Sequence, residues 1–160
     1  MTVTNVEKDA ENLTLKITTD LDAGIDRVWE MWENPRLLEK WWGPPGYPAT
    51  FETFEFEPGG AVEYFMTSPE GQQFPDYWTI KTVESPCLIE INDGWERDED
   101  NPAPGIELMR VDISEIDGSP GSTRMTITTT YESAEGMKRM IDMGMDEGMT
   151  LAMGQIDGLL

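Results

Sequence analysis

The stretch VWEMWENPRLLEKWWGPPGY, Val28 to Tyr47, decides how the rest of this sequence folds. Apolar residues recur at helical spacing from Ile25 to Trp32, a pattern that predicts an amphipathic helix. Asp22 is the expected N-cap of this helix. Pro35 suits the first turn of a second short helix, and Gly43 with the proline after it ends that helix. The stretch therefore predicts two short helices that lead into a Pro/Gly-rich turn.

Strand patterns flank the two helices. Before them, NLTLKITTDL alternates apolar and polar residues, which predicts a strand with one buried face. After them come six more strand-like runs separated by short turns, which predicts an antiparallel meander. A change of phase between Leu108 and Val111 indicates a β-bulge. The runs are ATFETFEFE, AVEYFMTS, FPDYWTIKTVES, CLIEIND, IELMRVDISEI and TRMTITTTYES.

The C-terminal segment, SAEGMKRMIDMGMDEGMTLAMGQIDGLL, has a different pattern. Its apolar residues follow an i, i+3/i+4 stripe, which predicts a long amphipathic helix capped by Ser133. Four glycines interrupt the stripe, and each interior glycine costs about 1 kcal/mol relative to alanine. We expect them to allow close approach to the sheet or to leave space for a guest, and a break near Met143–Gly144 is the alternative to one continuous helix. A sheet covered by such a helix is an α+β fold.

Composition restricts the function. The chain has 160 residues with 32 acidic and 11 basic side chains, a net charge of −21, which argues against binding to nucleic acid or an anionic membrane. It contains no histidine and one cysteine, Cys87, so His-based catalysis and thiolate zinc sites are excluded. We expect no metal, no cofactor, a small buried Cys87 and a cytoplasmic protein without disulfides. The segment Glu96–Gly105 is expected to form an exposed acidic loop.

Three motifs in this order resemble one protein family. They are W-W-G-P at the end of the opening stretch, the P-G-G turn before AVEYFM, and M-G-M-x-E-G in the C-terminal segment. Together they resemble the activator of heat shock protein 90 ATPase homologue 1-like family, within the START-like (SRPBCC) superfamily. The resemblance implies a helix-grip fold, with a single domain over residues 13–160 after an N-terminal extension, residues 1–12. Many relatives carry Trp where this chain has Met149, a difference expected to reshape the pocket.

The family resemblance also implies an apolar cavity between the sheet and the C-terminal helix. Inward-facing strand residues and the helical methionine stripe are the candidate lining, although each of them could simply pack as core. Methionine is flexible and polarisable, so it suits variable apolar guests. The predicted ligand-binding residues are Trp42, Tyr64, Met66, Trp78, Ile80, Met109, Val111, Met145, Met149 and Met153.

The adjacent tryptophans are expected to have different roles. Trp41 shares helical spacing with Leu37 and Leu38 and is predicted to anchor the core. Trp42 is turned by about 100° around the helix axis, so it is predicted to border the cavity entrance with Tyr47 nearby.

No catalytic residue is assigned from the sequence. Glu63, Glu107 and Asp76 are candidate acids or bases, with solvated strand carboxylates as the alternative interpretation. Arg110 is a candidate for an anionic head group, with a surface ion pair as the alternative.

The leading functional hypothesis is non-enzymatic binding of a small hydrophobic molecule. The alternatives are a polyketide cyclase- or dehydratase-like enzyme, and a co-chaperone that stimulates a heat-shock chaperone ATPase. A homodimer through exposed sheet edges or the acidic loop is left open.

Overall fold

The computed structural model describes residues 3–93 and 106–160. The strands form one antiparallel sheet of eight, in the order β1-β2-β8-β7-β6-β5-β4-β3. All four helices pack against this sheet. The predicted meander is confirmed, since every strand from β3 to β8 pairs with its neighbour in sequence. The elements are β1 Val3–Asp9, β2 Thr14–Leu21, α1 Ile25–Glu33, α2 Pro35–Trp41, β3 Ala49–Phe54, β4 Ala61–Thr67, β5 Gln73–Glu84, β6 Leu88–Asp93, β7 Ile106–Glu115, β8 Thr123–Tyr131, α3 Ala134–Asp142 and α4 Met145–Gly154, followed by a 3₁₀ turn, Ile156–Leu159.

One face of the sheet is buried. In β8 every second residue from Thr123 to Tyr131 is buried, and the residues between them are partly or fully exposed. The same alternation runs through β2, where Leu15 and Ile17 are buried as their spacing predicts. The apolar side chains project from this face alone, so another layer of the protein must cover it to remove them from water. The four helices and the buried strand residues share one hydrophobic core, so the helices provide that cover.

The helix boundaries differ from the sequence expectation in two places. α1 starts at Ile25 with Gly24 as its N-cap and without a side-chain cap, so the prediction of Asp22 as N-cap is wrong. The C-terminal segment is broken at Met143–Gly144, the alternative that its glycines suggested. Pro35 does occupy the start of α2, and the Ser133 side chain does accept a hydrogen bond from Gly136 N–H at the start of α3.

Three further details concern the strands. Residues 3–9, within the segment described from sequence as an extension, form β1 and pair with β2. The β7–β8 register shifts between Ile106 and Leu108, so the bulge exists a little earlier than the change of phase suggested. Cys87 is exposed in the turn before β6, so the prediction of a buried cysteine is wrong. The expected acidic loop, Glu96–Gly105, lies outside the described residues.

Candidate functional site

The methionine cleft is an apolar opening of about 310 Å³ between the C-terminal helices and the loop after α2. One wall is the segment Trp42–Pro44 together with Met66 of β4. The other wall comes from the end of α3, the break after it and the exposed turns of α4. The lining residues are Trp42, Gly43, Pro44, Met66, Met140, Met143, Gly144, Met145, Gly148, Met149 and Ala152.

The loop wall is fixed by backbone geometry. Gly43 has φ +108°, and a Cβ atom at this position would lie 2.2 Å from the carbonyl oxygen of Tyr47. Only glycine therefore fits where the chain turns away from α2. The side chain of Gln155, just after α4, donates hydrogen bonds to the carbonyls of Trp41 (3.2 Å) and Gly43 (2.8 Å). These bonds tie the end of α4 to the opposite wall of the cleft.

Trp42 forms a rigid part of this wall. Its ring packs edge-on against Trp41 (centroids 5.5 Å apart) and Trp78 (5.1 Å), and it is tilted against Trp32 at 5.6 Å. The residue is only 5% exposed. Aromatic pairs in these orientations are favourable beyond the area they bury. Trp42 therefore belongs to the aromatic core and presents one side of that core to the cleft.

The helical wall depends on the break between α3 and α4. Gly144 adopts φ 88° as the N-cap of α4, a left-handed conformation that residues with a Cβ atom adopt at a cost. Tyr131 at the end of β8 donates a hydrogen bond from its hydroxyl to the Met145 sulfur at 2.9 Å. Burial, with a smaller contribution from Asp146, raises the pKa of Tyr131 to about 12. The phenol thus stays a protonated donor and holds the first residue of α4 against the sheet.

An ion pair holds the same turn of α4 from outside. Lys8 of the edge strand β1 lies 2.7 Å from the buried carboxylate of Asp146. The hydrogen bond from Lys8 lowers the pKa of Asp146 below its ordinary value. The outward side of α4 is therefore linked to β1, while its other side borders the cleft.

Among the described residues, those that line the cleft carry no ionisable side chain. The nearest polar pair in the core belongs to β4 and β5, where the Tyr64 hydroxyl donates to an oxygen of Asp76 at 2.8 Å. Burial, followed by the charges of Asp76 and Asp93, raises the pKa of Tyr64 well above its ordinary value. Tyr64 packs on Trp78, which in turn packs on Trp42. Two aromatic rings therefore connect this pair to the wall of the cleft.

The indole N–H of Trp42 lies close enough to Tyr64 to oppose part of that pKa shift. Within residues 3–93 and 106–160 it nevertheless has no acceptor at hydrogen-bonding geometry. Because an N–H···O bond weakens steeply as it bends, the proximity of Tyr64 does not satisfy this indole N–H. Trp42 thus contributes shape and apolar area to the cleft rather than a satisfied polar contact.

The structure separates the ten residues predicted to bind ligand. Trp42, Met66, Met145 and Met149 line the methionine cleft. The other six are between 0% and 5% exposed in the core and are not among the lining residues, so a role in binding stays a prediction for them. Tyr47 is exposed and is likewise not part of the lining. The six core residues are Tyr64, Trp78, Ile80, Met109, Val111 and Met153.

Sequence reasoning missed several residues of the cleft, chiefly Met140 and Met143. Met140 belongs to the apolar stripe and was available as a candidate, whereas Met143 lies outside the stripe. The helix break changes the direction of the chain at Met143, and this residue then lines the cleft. A prediction of two separate helices, instead of leaving the break as an alternative, would have identified Met143 as a lining residue. Gly148 fits the expectation of space for a guest, since nothing lies within 4 Å of a Cβ atom built there.

The candidate acids and the arginine occupy other surroundings. Glu63 and Glu107 are exposed strand residues, as the alternative interpretation expected. Arg110 is exposed and contacts Asp112 at 3.1 Å and Glu90 at 3.8 Å, so it forms a surface ion pair. In the described parts of the chain, no three Cys, Asp or Glu side chains converge as a metal site would require. No helix there is both long and apolar enough to cross a bilayer.

Comparison with known proteins agrees with this geometry. The family model of the activator of Hsp90 ATPase homolog 1-like protein matches residues 22–160. The chain belongs to this family. Its helix-grip fold, expected from the sequence resemblance, is confirmed by related solved structures.

Two of these structures are similar in sequence as well as in fold. A solution NMR structure of an Arthrobacter aurescens protein has 44% identity and a TM-score of 0.88, covering 97% of this chain and 90% of that one. The crystal structure of protein Ms6760 from Mycobacterium smegmatis has 42% identity and a TM-score of 0.85, with 98% and 96% covered.

A more distant family member is similar to this chain in fold alone. The AHSA1 protein from Silicibacter pomeroyi has 18% identity and a TM-score of 0.71, covering 91% of this chain and 95% of that one. A search of curated proteins found no match.

Proposed function

We propose that this protein binds a small, uncharged, apolar molecule in the methionine cleft and does not transform it. The observation that carries the proposal is the cleft itself, whose described lining consists of apolar side chains and glycines. An ionised ligand group placed there would lose water and gain no counter-charge, which is costly. The net charge of −21 adds a long-range repulsion against anions.

The size of the cleft restricts the ligand further. Its volume of about 310 Å³ is at the lower end of the range for small-molecule sites, about 300–1,000 Å³. It suits a compact ring system better than a long acyl chain. One wall is the rigid Trp42 and the other is made of flexible methionines, a combination that accepts apolar guests of differing shape.

Two leucine substitutions in α4 test this proposal. Gly148 borders the cleft and Gly154 does not, and nothing lies within 4 Å of a Cβ atom at either position. Gly148→Leu should fill the cleft and weaken binding of the uncharged fluorescent probe phenylnaphthylamine by about tenfold or more, because burial of the probe is lost. Gly154→Leu should bind the probe as the unmodified protein does.

Both substitutions remove a helical glycine, so both should maintain or raise the thermal midpoint. A loss of binding in Gly148→Leu with an unchanged midpoint therefore reports the cleft rather than unfolding. Equal probe affinity in all three proteins would contradict the proposal.

The Tyr64–Asp76 pair supports a second candidate, a cyclase- or dehydratase-like enzyme. The hydroxyl is buried and protonated, and it is hydrogen-bonded to a carboxylate at 2.8 Å. If a substrate carbonyl replaced Asp76 as its acceptor, this phenol could stabilise a developing oxyanion by a hydrogen bond. The test is turnover of polyketide-like substrates that is abolished in Tyr64→Phe; binding without turnover favours the first proposal. No contact within residues 3–93 and 106–160 favours the co-chaperone hypothesis, which stays a prediction from the family resemblance.

A further inference from the structure

The methionines of the described chain fall into two sets with different surroundings. Five of them line the methionine cleft and are partly or largely accessible, whereas the other five are between 0% and 5% exposed in the core. Every described methionine that is more than 5% exposed therefore belongs to the cleft. The cleft set is Met66, Met140, Met143, Met145 and Met149, and the core set is Met31, Met109, Met125, Met137 and Met153.

We propose that the methionine cleft is a reversible oxidation site, at which a peroxide converts the lining thioethers to sulfoxides and thereby expels the apolar ligand. The oxidation itself follows from accessibility alone. The effect on binding rests on the function proposed above.

The reaction needs only the thioether and the peroxide. A sulfur lone pair attacks one peroxide oxygen, the O–O bond breaks, and an S–O bond forms. The sulfur loses two electrons, the peroxide is reduced, and the departing hydroxide takes the remaining proton to leave as water. Methionine sulfoxide reductases of the two epimer specificities reverse the change: a dithiol is oxidised to a disulfide, the S–O bond breaks, and the oxygen leaves as water.

The structure ranks the cleft methionines by reactivity. Met143 is 76% exposed at the break between α3 and α4, so a peroxide reaches its sulfur first. Met145 accepts the 2.9 Å hydrogen bond from the Tyr131 hydroxyl, which occupies a lone pair of the attacking sulfur. We therefore expect Met145 to react more slowly than Met149, although both are partly exposed.

Oxidation changes the character of the cleft. A sulfoxide oxygen is a strong hydrogen-bond acceptor, whereas the described lining is apolar and offers it few donors. A bound apolar ligand would bury that oxygen without a partner, which is unfavourable. The unmodified cleft therefore holds the ligand and the oxidised cleft holds water.

Peptide mass spectrometry after a time course with hydrogen peroxide tests the oxidation step. We expect sulfoxide first at Met143, then at the other cleft positions, with the core set at least about tenfold slower. The same treatment in concentrated guanidinium should oxidise all ten at similar rates, which shows that burial causes the protection. Core methionines reacting as fast as cleft methionines in the folded protein would overturn the proposal.

Tyr131→Phe tests the order within the cleft. It removes the donor to Met145 and should raise the oxidation rate at Met145 to that at Met149, with Met143 unaffected. A thermal unfolding measurement on Tyr131→Phe serves as the control that the variant is folded. An unchanged rate at Met145 would overturn the proposed order.

Binding of phenylnaphthylamine before and after peroxide tests the functional step. Oxidised protein should bind the probe about tenfold more weakly, and treatment with both reductases and a dithiol reductant should restore the affinity. The variant with Met140→Leu, Met143→Leu and Met149→Leu keeps only two of the five cleft thioethers, so peroxide should remove a smaller fraction of its own untreated affinity. Met31→Leu changes a core residue and should respond as the unmodified protein does. Affinity unchanged by full oxidation of the cleft set would overturn the proposal.

The two proposals fail in distinguishable ways. A protein that never binds the probe contradicts the proposed function, and the peptide map then still decides whether the cleft is the oxidation site. A protein that binds the probe equally in both states contradicts only the present inference.

Discussion

At the scale of single residues, the adjacent tryptophans show what sequence spacing can and cannot predict. The prediction that Trp41 anchors the core is confirmed, since it is fully buried and donates its indole N–H to the carbonyl of Met31 at 3.0 Å. Trp42 lines the cleft, but it is also a buried core residue, which is only 5% exposed and packs against three other tryptophans. Helical spacing gave the direction of each ring. It could not show the ring contacts, because Trp78 lies far away in sequence.

Phenylalanine substitutions distinguish the two rings. Trp41→Phe leaves the buried Met31 carbonyl without its donor, which costs about 1–3 kcal/mol of unfolding free energy besides the lost area. Trp42→Phe removes an N–H that has no partner of good geometry among the described residues, so we expect its cost to be about 1 kcal/mol smaller. Trp42→Phe should be the variant with weaker probe binding. Urea unfolding and a probe titration of both proteins check this, and a larger stability loss in Trp42→Phe would contradict it.

At the scale of secondary-structure elements, the break between α3 and α4 positions the cleft. The sequence indicated the break through its glycines but did not decide between one helix and two, because propensity is a weak constraint beside tertiary packing. The structure shows why two are formed. Met145 is held by Tyr131 and Asp146 by Lys8, so α4 is fixed to β8 and β1 independently of α3.

Alanine substitutions at two glycines test this break. Gly144→Ala should lower the unfolding free energy by about 1–2 kcal/mol, because its φ of 88° disfavours a Cβ atom. Gly154→Ala lies in α4 itself and should raise stability by up to about 1 kcal/mol. Chemical denaturation measures both values. A stabilising Gly144→Ala would show that the left-handed cap is not required.

The ion pair between β1 and α4 should depend on pH. Because the pKa of Asp146 is lowered in the folded protein, its stabilising effect is complete above the ordinary carboxyl pKa, about 3.8, and is lost as the pH falls through the folded value. Lys8→Met should therefore lower the thermal midpoint at pH near 7 and much less in strong acid.

Lys138→Met is the matched control for Lys8→Met. Lys138 pairs with Asp142 within the exposed surface of α3, at 2.6 Å, and joins no separate elements. It should have little effect on the thermal midpoint at either pH. A Lys8→Met protein with the same midpoint as Lys138→Met near pH 7 would show that the pair does not fix α4.

At the scale of the whole molecule, the sequence predicted the fold well and the lining of the methionine cleft only in part. The strand alternation and three family motifs were enough for the helix-grip architecture, because both depend on local patterns. The cleft depends on distant contacts such as Gln155 with Trp41 and Gly43. Local patterns do not show such contacts, so they could not separate lining residues from core residues. Six of the ten residues predicted to bind ligand are core residues outside the lining.

The charge of the whole molecule leads to a further expectation. With 32 acidic and 11 basic side chains, the folded chain repels itself, and salt screens that repulsion over a Debye length that falls to about 3 Å at about 1 M. The thermal midpoint should rise as sodium chloride is added. A midpoint that falls steadily with salt would mean that attractive ion pairs outweigh the repulsion.

Native mass spectrometry of the protein purified from its own host tests the central claim most directly. If the methionine cleft binds a small uncharged apolar molecule, part of the protein should carry one adduct of small mass. The adduct should be present in Gly154→Leu, absent from Gly148→Leu, and extractable into organic solvent. An adduct retained by Gly148→Leu, or none in any of the three proteins, would contradict the account.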